Sequence, residues 1–411
     1  MWKRISVFAL AFFLSFLILG CGHSKPPAPP LAPAALAAAD FREIEAAARG
    51  TTVSFAMWSG DEARNRFFET FARRELKERY DIELKIVPLG DTAEAIGKLL
   101  GEKSAGKTTG GSIDMIWING ENFRTAKRGG LLWGRFADHL PNAKYYAPEA
   151  AGRDFGTEIE GLEAPWQRAQ FVFAFDTERV AAPPRSIDAL GEWIRRHPGR
   201  FTYIAPPDFT GSAFLRHVLF HFGGGADRFQ TFDETLYRDA SAKTFAFLNE
   251  IKPFLWRGGE TYPRSVKELD RLFAGREVDF AFAYGANFAT ERIARGEYPP
   301  TARTFVLASG TIDNYNYLTV PFNAANPAGA LAAINYLMSP EFQIEQSRAI
   351  GSVYPHELAN LSDAQRRAVA ALERGAATLS AEELDAHSVP EADARYLELL
   401  EKDWREQVLI K

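Results

Sequence analysis

From residue 52 onward, short apolar segments alternate with longer segments whose apolar residues recur at helical spacing. The run Thr52–Met57 is apolar and β-branched, and the segment 61–79 after it reads as a helix. Strands that alternate with helices in this order form sheets covered by helices. The sequence therefore predicts an α/β fold. With 411 residues, 46% of them apolar, the chain can form one large two-lobed unit or about two to three domains.

The N-terminus has the pattern of an export signal. Lys3 and Arg4 precede an uncharged apolar run, and the chain's single cysteine, Cys21, follows it. A basic start and a short apolar run are typical of a secretory signal, whereas a membrane-spanning helix needs about 20 apolar residues. Residues 18–21 also resemble a bacterial lipobox, in which the cysteine is lipidated after cleavage. We predict a signal peptide over 1–20 and a lipid anchor on Cys21, which would hold a periplasmic protein at the inner or outer membrane. A plain signal peptide is the alternative.

Composition argues against several other classes of protein. The formal charge of −5 argues against a nucleic-acid partner. With Cys21 lipidated, no cysteine is left for a disulfide or a metal site.

The proline- and alanine-rich residues after Cys21 favour extended geometry. We predict that residues 21–50 form a tether and that the folded body begins near Thr51.

Two local motifs suggest other functions, and we reject both. Residues 101–108 match a P-loop literally, but a P-loop follows a strand and opens a helix, whereas a helix-like segment precedes this match. His217 and His221 are four residues apart on a predicted helix, as metal ligands can be, but no third ligand is near them in sequence. We expect no metal and no cofactor. A secreted hydrolase that uses two carboxylates stays open as an alternative, because carboxylates are abundant.

Aromatic, carboxylate and amide residues follow the predicted strands. In open α/β sheets, ligands bind at the carboxyl ends of the strands. The candidate binding residues at these ends are Trp58, Asp61, Trp117, Asn119, Glu121, Asn122, Asp208, Thr210, Gly211, Ser212, Tyr284 and Asn287. Such side chains suit a small polar ligand and provide no evident nucleophile and base. Helix capping is the alternative role of Asp61, Asp208 and Thr210, and core packing is the alternative for Trp117.

Four longer strings resemble the YnjB family of bacterial extracellular solute-binding lipoproteins. They are residues 58–66, 116–123, 165–173 and 200–214, and the resemblance extends over roughly 51–341. One departure is Gln167, where the family has glycine. The resemblance implies the two-lobed type II periplasmic-binding fold, in which a ligand is trapped as two α/β lobes close about a hinge.

The resemblance also implies how the chain divides. Residues 51–172 and 285–324 are expected to form the first lobe. Residues 173–284 and 325–411, with a helical C-terminal tail, are expected to form the second. Each lobe should hold a mixed sheet flanked by helices. The segments Ala169–Phe175 and Val278–Ala283 are the expected crossover strands of the hinge.

The ligand that the resemblance favours is a thiamine-like compound or a phosphate ester, delivered to an ABC permease and its ATPase by a monomer that is not an enzyme. The side chains expected to stack on a cationic ring are Trp58, Trp117, Trp166 and Tyr284. Carboxylates of Asp61, Glu121 or Asp208 would balance its charge. Residues 210–212 would bind an anion at a helix N-terminus. A polyamine would use the same aromatic and acidic residues without the anion site. An interaction lipoprotein is a further alternative.

Overall fold

The computed structural model describes Leu36, residues 39–372 and residues 375–410. The predicted signal peptide and Cys21 lie outside the described residues. The strands are β1 (Thr52–Trp58), β2 (Glu83–Leu89), β3 (Met115–Ile118), β4 (Arg153–Asp154), β5 (Thr157–Glu158), β6 (Ala164–Asp176), β7 (Phe280–Tyr284), β8 (Ala302–Phe305), β9 (Thr311–Thr319) and β10 (Ser388–Val389). No helix within the described ranges is both long and apolar enough to cross a membrane.

The helices cover the strands and fill most of the C-terminal tail. They are α1 (Phe41–Ala48), α2 (Glu62–Phe67), α3 (Arg73–Tyr80), α4 (Thr92–Ser104), α5 (Gly120–Arg128), α6 (Ile187–Arg196), α7 (Phe209–Gly223), α8 (Glu234–Ile251), α9 (Val266–Ala274), α10 (Phe288–Ala294), α11 (Pro327–Leu337), α12 (Pro340–Ile350), α13 (Asp363–Ala370), α14 (Ala381–Ala386) and α15 (Ala394–Trp404). A π-helical turn, Phe68–Ala72, joins α2 to α3.

The main sheet joins distant parts of the chain. Its strands lie in the order β2-β1-β3-β9-β6-β7, with β8 also paired to β6 and β10 to β9. β1 is parallel to β2 and β3, whereas β9 is antiparallel to β3 and β6. The predicted α/β class is confirmed, because the parallel strands come from the alternating segments of the sequence.

Separate apolar cores lie toward the two ends of this strand order and define two lobes. The core of lobe 1 combines residues between 36 and 166 with residues between 317 and 342. The core of lobe 2 combines residues between 171 and 312 with residues between 377 and 408. The expected division is wrong for two segments, since 286–312 packs in lobe 2 and 328–342 packs in lobe 1. The reason is that the chain returns to lobe 1 in β9, and the next two helices, α11 and α12, stay there.

Two long strands, β6 and β9, pass between the lobes. In β6, Ala164 to Gln170 pair with β9, and Phe171 to Phe175 pair with β7. β9 pairs with β3 at its C-terminal end and with β10 at its N-terminal end. The expected crossover at Ala169–Phe175 therefore lies within β6. The other, at Val278–Ala283, is wrong, because β7 pairs with the lobe 2 half of β6 and β9 makes the second crossing.

The folded body begins earlier than predicted. Asp40 caps α1, and Glu43 completes a capping box by bonding back to the Asp40 backbone. Leu36, Ile44 and Ala48 are buried in the core of lobe 1, and α1 packs against α11. The predicted tether of residues 21–50 is therefore wrong at its C-terminal end.

Candidate functional site

The candidate site lies on one face of the hinge strand β9. Asn314 and Asn316 are two residues apart, so their side chains point to the same face. Asn316 Oδ1 accepts hydrogen bonds from Trp117 Nε1 at 3.0 Å and from Asn119 Nδ2 at 3.1 Å. Asn314 Nδ2 donates to Glu391 Oε1 at 3.1 Å. The strand therefore joins two predicted site residues of lobe 1 to a carboxylate from the C-terminal tail.

The lobe 1 side of this face carries Trp58 and Trp117, which we call the tryptophan wall. Trp58 ends β1 and is 41% exposed. Its ring meets Trp117 edge-on, with centroids 6.3 Å apart. Gly60 permits this arrangement, because a Cβ at that position would lie 2.1 Å from the Trp58 ring. An exposed tryptophan held by its neighbour offers a face on which a ring or a cation can stack.

Arg64 is the cation beside the tryptophan wall. Its Cζ lies 5.3 Å from the centroid of the Trp117 ring. The Nε and Nη1 atoms are buried without a hydrogen-bond partner in the described structure. Burial lowers the pKa of Arg64, and the charges of Asp61 and Glu291 oppose that shift. Because unpartnered buried donors are unfavourable, Arg64 is suited to receive an acceptor group of a ligand.

The lobe 2 side of the site carries a fully buried guanidinium, Arg216, in the middle of α7. Its Nη2 donates to Glu391 Oε1 at 3.0 Å and to Tyr284 Oη at 3.3 Å, and its Nε lies 2.8 Å from Glu391 Oε2. Tyr284 Oη donates to Glu391 Oε1 at 2.8 Å, and the Phe209 ring lies 5.0 Å from the Tyr284 ring. We call Arg216, Tyr284 and Asn314 the Arg216 pocket, because all three donate to one carboxylate.

Further carboxyl groups surround the Arg216 pocket. Burial raises the pKa values of Glu121 and Asp154 above the usual range, and the charge of Glu391 adds to both shifts. Burial also raises the pKa of Glu401, to about 7. The charge of Arg216 opposes the shifts of Glu121 and Glu401, but Arg216 already pairs with Glu391. The region therefore holds carboxyl groups whose ionised forms burial disfavours and a bound cation would favour.

We expect Glu401 to make stability depend on pH. Since burial raises its pKa to about 7, the folded state disfavours the charged form. The contribution of the protonated group is therefore present at low pH and is lost as the pH rises through about 7. Glu401→Gln should lose less stability than the wild type between about pH 5 and about pH 8. Denaturant unfolding of the ligand-free protein measures this. Glu398→Gln, an exposed position on the same helix, is the control, and equal pH dependence in wild type and Glu401→Gln would contradict the prediction.

The N-terminus of α7 is occupied by the protein's own carboxylate. Asp208 Oδ1 accepts hydrogen bonds from Thr210 N at 2.9 Å and from Gly211 N at 3.0 Å. The Ser212 N–H donates to the Asp208 carbonyl oxygen, and Ser212 Oγ donates to Glu401 Oε1 at 2.6 Å. This geometry contradicts the expected anion site at residues 210–212, because those donors are already used. Asp208 is a helix cap, as the alternative interpretation has it.

Trp166 is a core residue and not a residue of the cleft. It is fully buried in lobe 1, and its ring centroid lies 6.3 Å from that of Phe55 and 5.8 Å from that of Phe68. The expectation that Trp166 stacks on a ligand is therefore wrong. The physical reason is that neighbouring aromatic rings enclose its indole, with Trp117 between it and Trp58.

The remaining predicted residues have defined positions. Asp61 caps α2, since its Oδ1 accepts from Ala63 N at 2.9 Å and from Arg64 N at 3.2 Å. Asn287 Nδ2 donates to the Gly351 carbonyl oxygen at 2.6 Å, which links lobe 2 to the end of α12 in lobe 1. Asn122 is half-buried in α5. Of the three, Asn287 joins the two lobes, whereas Asp61 is used by the backbone of its own helix.

Sequence reasoning misses five residues of the site, which are Arg64, Arg216, Asn314, Asn316 and Glu391. Arg216 has a usable signal, because it interrupts an apolar helix and a buried charge needs a partner. Glu391 has no local signal, because its partners Asn314 and Arg216 are 77 and 175 residues away in sequence.

The two rejected motifs have structural explanations. Residues 101–108 lie at the end of α4 and in the turn after it. His217 uses both ring nitrogens, since Nδ1 lies 2.8 Å from the Ala213 carbonyl oxygen and Nε2 accepts from the Ile312 N–H at 3.1 Å. Burial lowers its pKa to about 3. His221 lies 3.1 Å from Asp188 Oδ1. Among the residues that the structure describes, no group of three or more potential metal ligands is found.

Comparison with known proteins identifies the family. The sequence profile described as bacterial extracellular solute-binding protein matches residues 72–370, which is most of the chain. This chain belongs to that family. Protein YnjB of Escherichia coli (strain K12) is 36% identical to it over 312 residues, which cover 75% of this chain and 80% of that protein. The resemblance carried by the four sequence strings is confirmed.

Solved structures show the same two-lobed fold. The spermidine/putrescine ABC transporter substrate-binding protein PotD from Streptococcus pneumoniae has a TM-score of 0.62 at 14% identity, covering 86% of this chain and 99% of its own. The periplasmic binding protein AfuA from Actinobacillus pleuropneumoniae has a TM-score of 0.59 at 14% identity, covering 88% and 99%. The type II periplasmic-binding fold is confirmed, and by its family the chain is a bacterial extracellular solute-binding protein.

Proposed function

We propose that this protein traps a small organic cation between the tryptophan wall and the Arg216 pocket, and that it delivers the cation as a monomer to an ABC permease and its ATPase. A thiamine-like compound, free or as a phosphate ester, is the favoured solute. The observation that carries the proposal is an exposed aromatic face, Trp58 against Trp117, in a cleft that also holds Glu121 and Glu401, whose pKa values burial raises and whose ionised forms a bound cation would favour.

A phosphate ester would meet Arg64 and not the N-terminus of α7. Arg64 lies against the Trp117 ring and has two buried donor atoms without partners. A solute whose ring stacks on the tryptophan wall can therefore place a phosphate against the guanidinium. Replacing Arg64 by glutamine should weaken binding of the phosphate ester more than binding of the free compound.

The experiment is a thermal-shift and calorimetry panel of thiamine, thiamine monophosphate, putrescine and spermidine on protein freed of carried-over ligand. A solute that binds the folded state raises the melting temperature, by a free energy of about 2.7 kcal/mol at a hundred times its dissociation constant. We expect thiamine or its phosphate to do so. No shift with any compound of the panel would count against an organic cation as the cargo.

A polyamine is the second candidate, and the same carboxyl groups favour it. Glu121, Glu401 and Glu291 have pKa values that burial raises, to about 7 for the last two. A chain of ammonium groups would balance them without using Arg64. PotD, named for spermidine and putrescine, shares the fold, but at this identity its ligand does not transfer to this chain. In the panel, a shift with spermidine and none with thiamine would favour this candidate.

Trp117→Ala should weaken binding of the solute about 30-fold, because a desolvated cation–π contact contributes about 2 kcal/mol. Folding should be largely retained, since Trp117 is half-buried at the end of a strand. Trp256→Ala removes a tryptophan of lobe 2 whose Nε1 bonds to Glu277, away from the cleft, and is the matched control. Calorimetry measures the affinity and circular dichroism the folding. Unchanged affinity in Trp117→Ala would remove this residue from the site.

The proposal includes no chemical step on the solute. A binding protein returns its ligand unchanged, whereas the alternative hydrolase would consume it. Prolonged incubation of protein and bound solute, followed by NMR of the solute, tests this directly. Appearance of a product that tracks protein concentration would favour the hydrolase.

We also propose that the protein is anchored outside the cytoplasm through lipid on Cys21. The support is the sequence pattern, with a basic start, an apolar run and a lipobox-like tetrapeptide. In cells, the wild type should fractionate with membranes. Cys21→Ser should remain an unlipidated precursor or be found in the soluble periplasmic fraction. Equal lipid labelling of the two proteins would refute the anchor.

A further inference from the structure

The Arg216 pocket is built as a receptor for one carboxylate. Its three donors come from different elements, namely Arg216 from α7, Tyr284 from β7 and Asn314 from β9. Arg216 Nη2 donates to one oxygen of the Glu391 carboxylate and Nε lies 2.8 Å from the other, and hydrogen bonds between ionised groups are about twice as strong as those between neutral groups. The aromatic rings of Phe155 and Phe209 lie 5.8 and 5.6 Å from Arg216 Cζ and shield the pair from water.

The occupant of this receptor comes from the protein's own C-terminal tail. Glu391, which is 5% exposed, follows β10 and sends its carboxylate into the pocket. The backbone around it is held on both sides, since its carbonyl oxygen accepts from Gln230 Nε2 at 2.7 Å and the Asp393 N–H donates to the Phe229 carbonyl oxygen at 2.8 Å. Glu391 is therefore delivered to the pocket at a defined position.

The tail then crosses from lobe 2 to lobe 1. The Ala394 N–H donates to the Phe155 carbonyl oxygen at 3.0 Å, and Glu398 of α15 forms an ion pair with Arg124 of α5. On the lobe 2 side, Glu401 accepts from Ser212 Oγ. The segment that carries Glu391 thus packs on both sides of the cleft, so its carboxylate is positioned at the same place where a solute would be enclosed.

We propose that Glu391 is a specificity-determining residue, a built-in anion that takes the place of a ligand carboxylate in the Arg216 pocket. This inference rests on the proposed function. With the pocket occupied from within, an anionic group of a solute meets on the lobe 2 side a guanidinium whose charge Glu391 already pairs, whereas a cationic group meets Glu121 and Glu401. The tail, which lies beyond the residues matched by the family profile, thereby selects for charge.

The test removes the built-in anion and offers a free one. Glu391→Ala deletes two carbons and two oxygens, which acetate supplies. We expect Glu391→Ala to lower the melting temperature of the full mature chain by about 10 °C. Acetate, but not chloride at equal ionic strength, should recover at least half of that loss in a saturable manner. Propionate, which is one carbon longer, should recover less.

Two further variants control the experiment. Glu391→Gln keeps the shape of the side chain and fills the pocket, so it should lose stability without responding to acetate. Glu406→Ala removes an exposed carboxylate of the same tail that takes part in no ion pair among the described residues, and it should show no acetate-specific response. An acetate response equal in Glu391→Ala and Glu406→Ala, or none in Glu391→Ala, overturns the proposal. If Glu391→Ala does not fold in chloride, recovery on refolding in acetate supports the proposal, and failure in acetate overturns it.

A second measurement separates this inference from the proposed function. In Glu391→Ala, solutes that carry a carboxylate should gain affinity over the wild type, and cationic solutes should lose it. Acetate rescue does not require a bound solute. Rescue in a protein that binds no cation would therefore support the role of Glu391 and refute the proposed solute. Cation binding by the wild type without acetate rescue would refute the role of Glu391 alone.

Discussion

Replacing Arg216 by methionine should lower the free energy of unfolding by about 3–5 kcal/mol, because it leaves the buried carboxylate of Glu391 without its cation. Arg216 is fully buried and Glu391 is 5% exposed, so water cannot replace the lost partner. Denaturant unfolding followed by tryptophan fluorescence and circular dichroism measures the change.

A double replacement gives this prediction its sharpest control. Adding Glu391→Gln to Arg216→Met removes the unpaired charge and should recover part of the lost stability. Arg264→Met, in an exposed pair with Glu268, should change stability by no more than about 0.5 kcal/mol. If Arg216→Met and the Arg264→Met control have the same free energy of unfolding, the buried pair does not determine stability.

Trp166→Ala should also lower the free energy of unfolding by about 3–5 kcal/mol, because it opens a large cavity in the core of lobe 1. Solute affinity should change far less than in Trp117→Ala, since Trp166 lies behind that residue and is fully buried. The two adjacent tryptophans therefore separate folding from binding, with stability lost at one position and affinity at the other.

If Trp166→Ala is too unstable to purify, solute affinity can be measured on Trp166→Phe instead. The phenyl ring keeps much of the packing against Phe55 and Phe68, and it removes an indole Nε1 that has no hydrogen-bond partner in the described structure. Calorimetry of the folded variant then reports on affinity alone. A loss of affinity as large as in Trp117→Ala would show that Trp166 contributes to the binding site.

The strand-end rule selected several residues that the structure brings together between the lobes, but it did not give the role of every residue. Trp58 contacts Trp117, and Trp117 and Asn119 both donate to Asn316 of β9, so residues chosen for their positions near strand ends are neighbours in the folded protein. Asp61 and Asp208 cap their helices, which is an interaction with the next few residues and hence visible in sequence. The carboxylates that a local pattern offers to a ligand were in these cases already used by the backbone.

The lobe boundaries illustrate the limit of reasoning along the chain. The α/β alternation is local, so the existence of most helices and strands follows from apolar spacing. Whether a helix belongs to one lobe or the other depends on where the chain crosses the hinge. β9, and not β7, makes the second crossing, and this pairing moves 286–312 and 328–342 to the opposite lobes.

The sequence by itself predicts the export signal, and it determined the α/β class, the family and the aromatic strand ends, because each depends on residues that are neighbours in the chain or on strings of them. Tertiary structure alone decided that Trp166 is core, that Arg64 stands against Trp117, and that Glu391 fills a pocket lined by Arg216. Those contacts join residues far apart in sequence. The partner of a buried charge is set by distance and geometry in the folded state, so it cannot be predicted from spacing along the chain.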